Sequence, residues 1–260
     1  QIGDENVHRV RALMDEVFGE DNFVSLIPFK KVSGLVSKTI PQIVDYIVWY
    51  SKASEKQKVH QLFKLRTIFD EGAKEYRYAE LPSGNIVSGT IDKIRNEYGN
   101  RRDVRFLRPG PLTSQDFTER GSVDYHFRKQ VYNSGRTRHW SVTVPEGLDI
   151  LAKADRLIPR DRSLSSKLYL DDNPAQLVSN TWMDTSWGFE TQKEKVYVVQ
   201  THPQVIERCI LMTTDPGDLI LDPTCGSGTT AYVAEQWGRR WITIDTSRVA
   251  LALARARIMG

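Results

Sequence analysis

The 260-residue sequence predicts an α/β fold of the Rossmann-like kind, a parallel sheet flanked by helices, with a mixed α/β region inserted in its middle. Three observations lead there. Leu219-Ile-Leu-Asp222 is an apolar run ending in a carboxylate, followed by a small-residue loop, Pro223 to Gly228, and then by a helical segment closed at Gly238. Arg240-Trp-Ile-Thr-Ile-Asp245 repeats the design, an apolar strand ending in a carboxylate and leading into a helix. Beyond Gly72 the pattern breaks into short pieces, with turn signals at Pro82-Ser-Gly84, Pro109-Gly-Pro111 and Asn133-Ser-Gly135.

Taken in order, Val7, Val10, Leu13, Met14, Val17 and Phe18 recur at helical spacing, so residues 6–18 form an amphipathic helix stopped by Gly19. Phe23–Phe29 and Val44–Tyr50 read as strands and as hairpin partners at the end of the sheet. Ser54–Phe69 reads as a helix, with Val59, Leu62, Phe63 and the stretch Leu65 to Phe69 as its apolar positions. Cys209 falls in a further helix ahead of the Leu219 strand. Thr229 and Thr230 are expected to cap the helix that runs to Gly238, and Ser247 to cap the helix Arg248–Ile258. Met14, the helix leucines and Trp237 are assigned to the core.

Composition sets the limits. With 40% apolar and 27% charged residues, one large or two small domains fit. No run of 18 apolar residues occurs, so no membrane helix is expected. Two cysteines, Cys209 and Cys225, suggest reduced thiols and a cytoplasmic protein. The five histidines, His8, His60, His126, His139 and His202, make no metal-ligand spacing, and no metal site is expected. The net charge of +3 is uneven: residues 99–167 carry fourteen Arg/Lys against eight Asp/Glu, a surplus of six. Phe106, Phe117, Tyr125, Phe127, Tyr132 and Trp140 are interleaved with them. Basic side chains neutralise phosphates, and arginine also reads guanine edges, so Arg101, Arg102, Arg105, Arg136 and Arg138 become candidate DNA contacts. The plainer reading of the segment is a solvated basic face over a small aromatic core.

The loop after Leu219–Asp222 defines a ligand site. A phosphate-binding P-loop would end in Gly-Lys-Ser/Thr, and no lysine is present. Gly226-Ser-Gly-Thr-Thr-Ala231 formally fits a dinucleotide fingerprint. Asp222, however, suits a ligand that carries an ammonium group, as S-adenosylmethionine does. At Gly226 and Gly228 a Cβ is expected to fill the ligand's space. Asp245 lies nineteen residues after Gly226, near the offset at which an acidic group meets ribose hydroxyls.

These residues carry a family resemblance. Asp222-Pro-Thr-Cys-Gly-Ser-Gly-Thr-Thr230 resembles the DPFxGSGTT signature of the β-class amino-methyltransferases of DNA, which act on adenine N6 or cytosine N4. The segment Thr201-His-Pro-Gln to Pro216-Gly-Asp218 is similar to the family's HPTQKP…LLERLI…NPGD stretch. Gln1 to Phe23 is similar to the ISIDDNEVHNLKLLMDEIFGEENF stretch of type III modification subunits, and Asp45-Tyr-Ile-Val-Trp-Tyr-Ser-Lys52 to their EYILVYAK strand. The resemblance covers residues 1–52 and 195–260.

It implies a circularly permuted, S-adenosylmethionine-dependent methyltransferase. Residues 1–70 would be part of the catalytic half, 71–190 the target-recognition insert and 191–260 the cofactor half. Asp222, Gly226 and Gly228 would hold the methionine end, within a loop of Pro223, Thr224, Cys225, Ser227 and Thr229. Asp245, beside Thr246, would hold the ribose, and Thr201 and His202 would close over the cofactor. The implied partners are duplex DNA, a restriction subunit and a second copy of the chain. The sequence departs from the pattern in three places. Thr224 replaces the usual phenylalanine, the Lys-Pro after His202 is missing, and no (D/N/S)PP(Y/F/W) tetrapeptide occurs, so no catalytic residue is assigned. The 260 residues are therefore expected to be an inert piece of a longer adenine N6 methyltransferase. Cytosine N4 methylation, a nicotinamide-dependent oxidoreductase and a non-catalytic DNA-binding module stand as the alternative readings.

Overall fold

The computed structural model describes residues 1–31, 40–185 and 200–260. The expected boundary at 190/191 and the resemblance over 195–199 lie outside them. The chain divides into a first unit, Gln1–Phe63 with Leu177–Gly260, and a second, Lys64–Gln176. Helix α1 (Val7–Phe18) ends as expected at Gly19, whose φ of 85° is readily open only to glycine. Its apolar face is not covered, however: Leu13 and Val17 are 58% and 67% exposed, and Met14 is half-buried. These residues are thus not core. Polar groups tie the helix down instead. Arg11 lies 3.5 Å from the centroid of the Phe23 ring and pairs with Asp15, which also accepts from the Tyr50 hydroxyl. Strands β1 (Phe23–Lys30) and β2 (Val44–Tyr50) form the expected antiparallel pair, with Ile27 opposite Ile47, but among the described residues they make a two-stranded sheet of their own and do not end a larger one.

The expected helix Ser54–Phe69 does not form. A 3₁₀ turn at Ser54–Lys56 gives way to extended chain and to β3 (Phe63–Leu65). The periodicity marks apolar positions, but Val59, Phe63 and Leu65 stay exposed, so a helix would gain no burial here. The backbone finds distant partners instead: His60 N donates to Met212 O at 2.8 Å and Arg66 N to Pro174 O at 2.7 Å.

The second unit is built on antiparallel strands. A hairpin of β4 (Tyr78–Glu80) and β5 (Ile86–Ser88) leads into α2 (Ile91–Tyr98), which Thr90 caps by accepting from Lys93 N. Then follow β6 (Arg105–Pro111), β7 (Thr113–Gln115), the hairpin β8 (Tyr125–Phe127) and β9 (Gln130–Tyr132), and β10 (Arg138–Trp140) paired with β7. After α3 (Glu146–Lys153), β11 (Leu157–Arg160) and β12 (Ser163–Tyr169) complete a five-stranded sheet in the order β11-β12-β6-β4-β5. Strand β13 (Ala175–Leu177) pairs with β3 and leads the chain back. Tyr125, Tyr132 and Trp140, read above beside the basic residues, are buried with Leu112, Leu148, Leu157 and Leu164 in one core. The β8–β9 turn is made by Arg128 (φ 47°) and Lys129 (φ 66°), a primed turn without glycine. Left-handed backbone of this kind costs about 1–3 kcal/mol per non-glycine residue.

Back in the first unit, α4 (Pro203–Thr213) buries two faces. Val205 packs with Ile27, Phe29 and Trp182, and Cys209 and Met212 lie against that cluster. Ile210 packs with Val233 and Ala234, with Ile206, Ile220 and Trp241 against them. Strand β14 (Leu219–Asp222) runs parallel to β15 (Arg240–Thr243), with Leu221 opposite Ile242. Between them lies α5 (Thr229–Gln236), and α6 (Arg248–Met259) follows. Ser247 caps α6 as expected, accepting from Ala250 N. Thr229 and Thr230 do not cap α5: Gly228, left-handed at φ 73°, occupies the cap position, and no side chain closes it. Trp237 lies just past the end of α5 and is exposed, a second departure from the expected core. On the β14–β15 sheet, Leu219, Leu221, Ile242 and Ile244 are about half exposed or more. No helix among the described residues is long and apolar enough to cross a membrane.

The second unit contains a buried charge network. Lys167, 4% exposed, donates to Glu80 Oε1 at 2.6 Å and to Asp155 Oδ2 at 2.7 Å, while Glu80 also accepts from the Tyr169 hydroxyl. Removing the ammonium leaves Glu80 buried without its counter-charge. Lys167→Ala should therefore lower unfolding free energy by about 3–5 kcal/mol in denaturant titration. Lys167→Met combined with Glu80→Gln should recover most of it.

Candidate functional site

A cavity of about 500 Å³ opens at the carboxyl end of β14. The loop after β14 supplies Asp222, Thr224, Cys225, Gly226 and Ser227 to its wall, and the head of α5 supplies Thr229 and Thr230. Leu221 and Ile206 give apolar surface, Gln200 and Thr201 come from the approach to α4, and Gln1 to Gly3 with Asp45 form the far side. That far side is placed by long-range pairing: Ile2 and Tyr46 exchange backbone hydrogen bonds at 2.9 Å. Asp45 accepts from Gln1 Nε2 at 3.2 Å and from Lys31 Nζ at 3.0 Å, and Gln1 is bonded to the Thr201 hydroxyl.

The loop is locked before any ligand arrives. Cys225 N donates to Ile244 O at 2.9 Å and Ile244 N to Asp222 O at 2.8 Å, which carries the parallel pairing past the end of β14. Asp245 Oδ2 accepts from Gly226 N and Oδ1 from Ser247 N, both at 2.8 Å. These backbone donors, Ser247 first and then Gly226, hold the Asp245 carboxyl below its ordinary range. Gly226 sits at φ 50° and lines the cavity, a left-handed conformation that suits glycine. Asp222 Oδ1 accepts from Thr224 N at 3.1 Å, and its other oxygen has no hydrogen-bond partner among the described residues.

Of the residues singled out from the sequence, Thr201, Asp222, Thr224, Cys225, Gly226, Ser227 and Thr229 meet at this cavity. His202, Pro223, Gly228, Asp245 and Thr246 are not on its wall. His202 instead caps α4, its Nδ1 accepting from Gln204 N at 3.2 Å. At Gly228 a Cβ would come within 2.7 Å of the Ala254 Cβ, so neighbouring protein needs the space there. The lack of a side chain lets the start of α5 touch α6. The far wall, Gln1 to Gly3 and Asp45, had no local signal, because contacts between distant residues, the Ile2–Tyr46 pairing and the bonds of Gln1 to Asp45 and Thr201, bring it there. Burial pushes the Cys225 thiol up, and that of Cys209 up to about 11, so both are held as neutral thiols. Among the described residues no cluster of His, Cys, Asp and Glu could hold a metal.

The basic residues of the second unit divide. Arg101 is held by Asp103 at 2.6 Å, and Arg105 by Asp171 at 3.2 Å while stacked on the Tyr169 ring. Arg138 donates to Thr113 Oγ1 at 3.3 Å. Arg102 and Arg136 are exposed and have no side-chain partner among the described residues. Arg101 and Arg102 lie between α2 and β6 and Arg105 opens β6, whereas Arg136 precedes β10 and Arg138 opens it, so the five belong to two parts of the unit.

Comparison with known proteins adds a family. A model of the N6/N4 family described as DNA methylase matches residues 1–256. The type II methyltransferase M.EcaI of Enterobacter cloacae is 26% identical over 257 residues, 96% of this chain and 50% of that protein. M2.DpnII of Streptococcus pneumoniae is 52% identical over 54 residues, 21% and 20% of the two chains. M2.LlaDCHI of Lactococcus lactis subsp. cremoris is 46% identical over 96 residues, 35% and 34%. The chain thus spans at most about half the length of these relatives, all of them type II. A solved structure of an M1.HpyAVI–SAM complex is 29% identical over a match covering 25% of this chain and 32% of that one, with a TM-score of 0.24.

The Asp245 clamp has a pH signature. A carboxyl whose folded value lies below its unfolded one stabilises fully above the unfolded value and loses that contribution as pH falls through the folded value. Asp245→Asn, which leaves one backbone donor unmatched, should lower the unfolding midpoint at neutral pH and speed amide exchange over residues 223–228. The gap to the wild type should close in acid. A gap that persists unchanged into strong acid would show that the carboxylate is not the anchor.

Proposed function

The chain belongs to the N6/N4 DNA methylase family, and from that membership we propose that it serves the transfer of a methyl group from S-adenosylmethionine to adenine N6 in duplex DNA, within the modification component of a restriction–modification system. The observation that carries the reading is the cavity at the end of β14, where a carboxylate and a helix N-terminus share one wall. The amino-acid end of the cofactor is a zwitterion. The open oxygen of Asp222 accepts from its ammonium, and the backbone N–H groups at the head of α5 favour its carboxylate. Leu221 and Ile206 give apolar contact, and Gly226 keeps the loop in the bend that leaves the cavity open. S-adenosylmethionine, when bound, supplies an electrophilic methyl group on a cationic sulfur. The neutral, buried Cys225 does not compete for that methyl as a thiolate would.

The dinucleotide alternative fits less well. A pyrophosphate needs free loop amides, and the Gly226 amide is already taken by the Asp245 carboxylate, whose charge would repel it. The second unit, with a basic surplus and Arg102 and Arg136 open to solvent, suits a polyanionic duplex, and a restriction subunit would be the protein partner. Adenine is favoured by the N-terminal likeness to type III modification subunits. N4-methylcytosine as the product would reassign the base without touching the rest.

Calorimetric titration checks the site. The intact protein should bind S-adenosylmethionine and not NADH, and Asp222→Asn should weaken binding by about 1.5–3 kcal/mol, roughly 10- to 100-fold. Wild-type affinity in the variant would remove Asp222 from the site. For DNA, Arg102→Glu and Arg136→Glu should each flatten the log–log salt dependence of duplex binding by about 0.9, leaving cofactor affinity unchanged.

A further inference from the structure

We propose that the β8–β9 hairpin is the part of the second unit that enters the major groove, with Arg128 and Lys129 at its tip as specificity-determining contacts. The proposal rests on the DNA reading above. The turn itself is the first observation. Two adjacent left-handed residues call for Asn-Gly or a similar pair, yet this chain places its longest cationic side chains there, at φ 47° and 66°. Strain that persists in a folded chain is held by its surroundings and concentrates at functional positions.

The surroundings here do hold it. Tyr125 and Tyr132 are opposite each other at the root of the hairpin, and both are buried in the core. The Tyr125 hydroxyl donates to Asp149 at 2.8 Å. Gln130 Nε2 donates to Asp161 O at 2.7 Å and Asn133 N to Arg162 O at 3.2 Å, which ties the second strand to the β11–β12 turn. At the tip, Arg128 meets Asp155 at 3.3 Å, an exposed pair, and the same carboxylate accepts from the buried Lys167. The buried network thereby fixes where Arg128 rests, at a contact weak enough for a phosphate or base edge to displace. Lys129 has no side-chain partner among the described residues, and Arg162 is exposed on the neighbouring turn. A three-residue strand reaches about 10 Å, enough for a major groove about 8.5 Å deep whose ~12 Å width admits a two-stranded ribbon. Side chains preorganised on a rigid ribbon lose little freedom on docking.

The test replaces the tip with the pair that the turn favours, Arg128→Asn with Lys129→Gly, in the intact protein. A pool of duplexes with randomised positions is selected by binding in the presence of S-adenosylmethionine, and the retained sequences are read. Unfolding midpoint and cofactor affinity are measured alongside. The expected result is an unfolding midpoint at or above the wild type, unchanged cofactor affinity, a loss of duplex affinity of about tenfold or more and a broadened or shifted sequence preference. Lys129→Gln alone should broaden the preference in the same direction. Unchanged affinity and preference in the double variant would overturn the hairpin assignment and leave the DNA reading standing. Weaker binding with an unchanged preference would reduce the tip to a backbone anchor and overturn its specificity role. A wild type that retains no duplex at any salt concentration would overturn the DNA reading itself, and the inference with it.

Discussion

The carboxylate of Asp245 accepts hydrogen bonds from two backbone donors in different parts of the chain, Gly226 in the loop after β14 and Ser247 at the head of α6. Much of the site follows from that bridge. It holds Gly226 in its left-handed bend and keeps the loop against the end of β15, where Cys225 and Ile244 continue the ladder. With the loop fixed, Gly228 starts α5 in contact with Ala254 of α6, and the head of α5 comes to lie on the cavity wall. One charged acceptor satisfying two donors is stronger than two neutral contacts. It also needs no ligand to be complete.

Helix α4 does for the first unit what Asp245 does for the loop. Its Val205 side belongs to the β1–β2 cluster, and its Ile210 side to the cluster under β14 and β15. Among the described residues the two sheets share no strand, and this helix packs its apolar side chains against both. Arg208 reinforces it from within, buried and bidentate to Asp184 at 2.8 Å while lying over the Trp182 ring. The cavity then gathers walls from both sides of α4, which is how residues as far apart in sequence as Gln1 and Thr230 come to line it.

Signals of this kind differ in how far they can be read from sequence. The parallel strands β14 and β15, the hairpin β1–β2 and the Ser247 cap were legible because each is written locally, in an apolar run, a terminal glycine or a capping hydroxyl. The segment Ser54–Phe69 was not. Its spacing marked apolar positions, but whether a partner surface exists to bury them is decided more than a hundred residues away, at β13. The uncovered faces of α1 and of the β14–β15 sheet are a milder case: the amphipathic pattern was right, and the burial it suggested was not. In the second unit Tyr125, Tyr132 and Trp140 turn inward, as the plainer reading of a basic face over a small aromatic core had it, while Phe117 stays exposed and Lys167 is buried. Seven of the residues singled out from the sequence do meet at one cavity, because most of them sit on a single short loop. What sequence could not assign was which glycine lines the cavity and which packs against protein, because that depends on where α6 packs.

The chain leaves the first unit along β3 and returns along β13, and these two strands are hydrogen-bonded neighbours. Paired strands lie only about 4.8 Å apart, so the host framework feels the inserted unit as little more than a tight hairpin, whatever the length of chain beyond it. The cost of closing such a gap rises only slowly with the length of the insert, and insertions whose ends lie close together are the ones that folds accept. The arrangement makes the second unit an exchangeable cassette. Its length and the surface it shows can change without widening the gap that the first unit has to span.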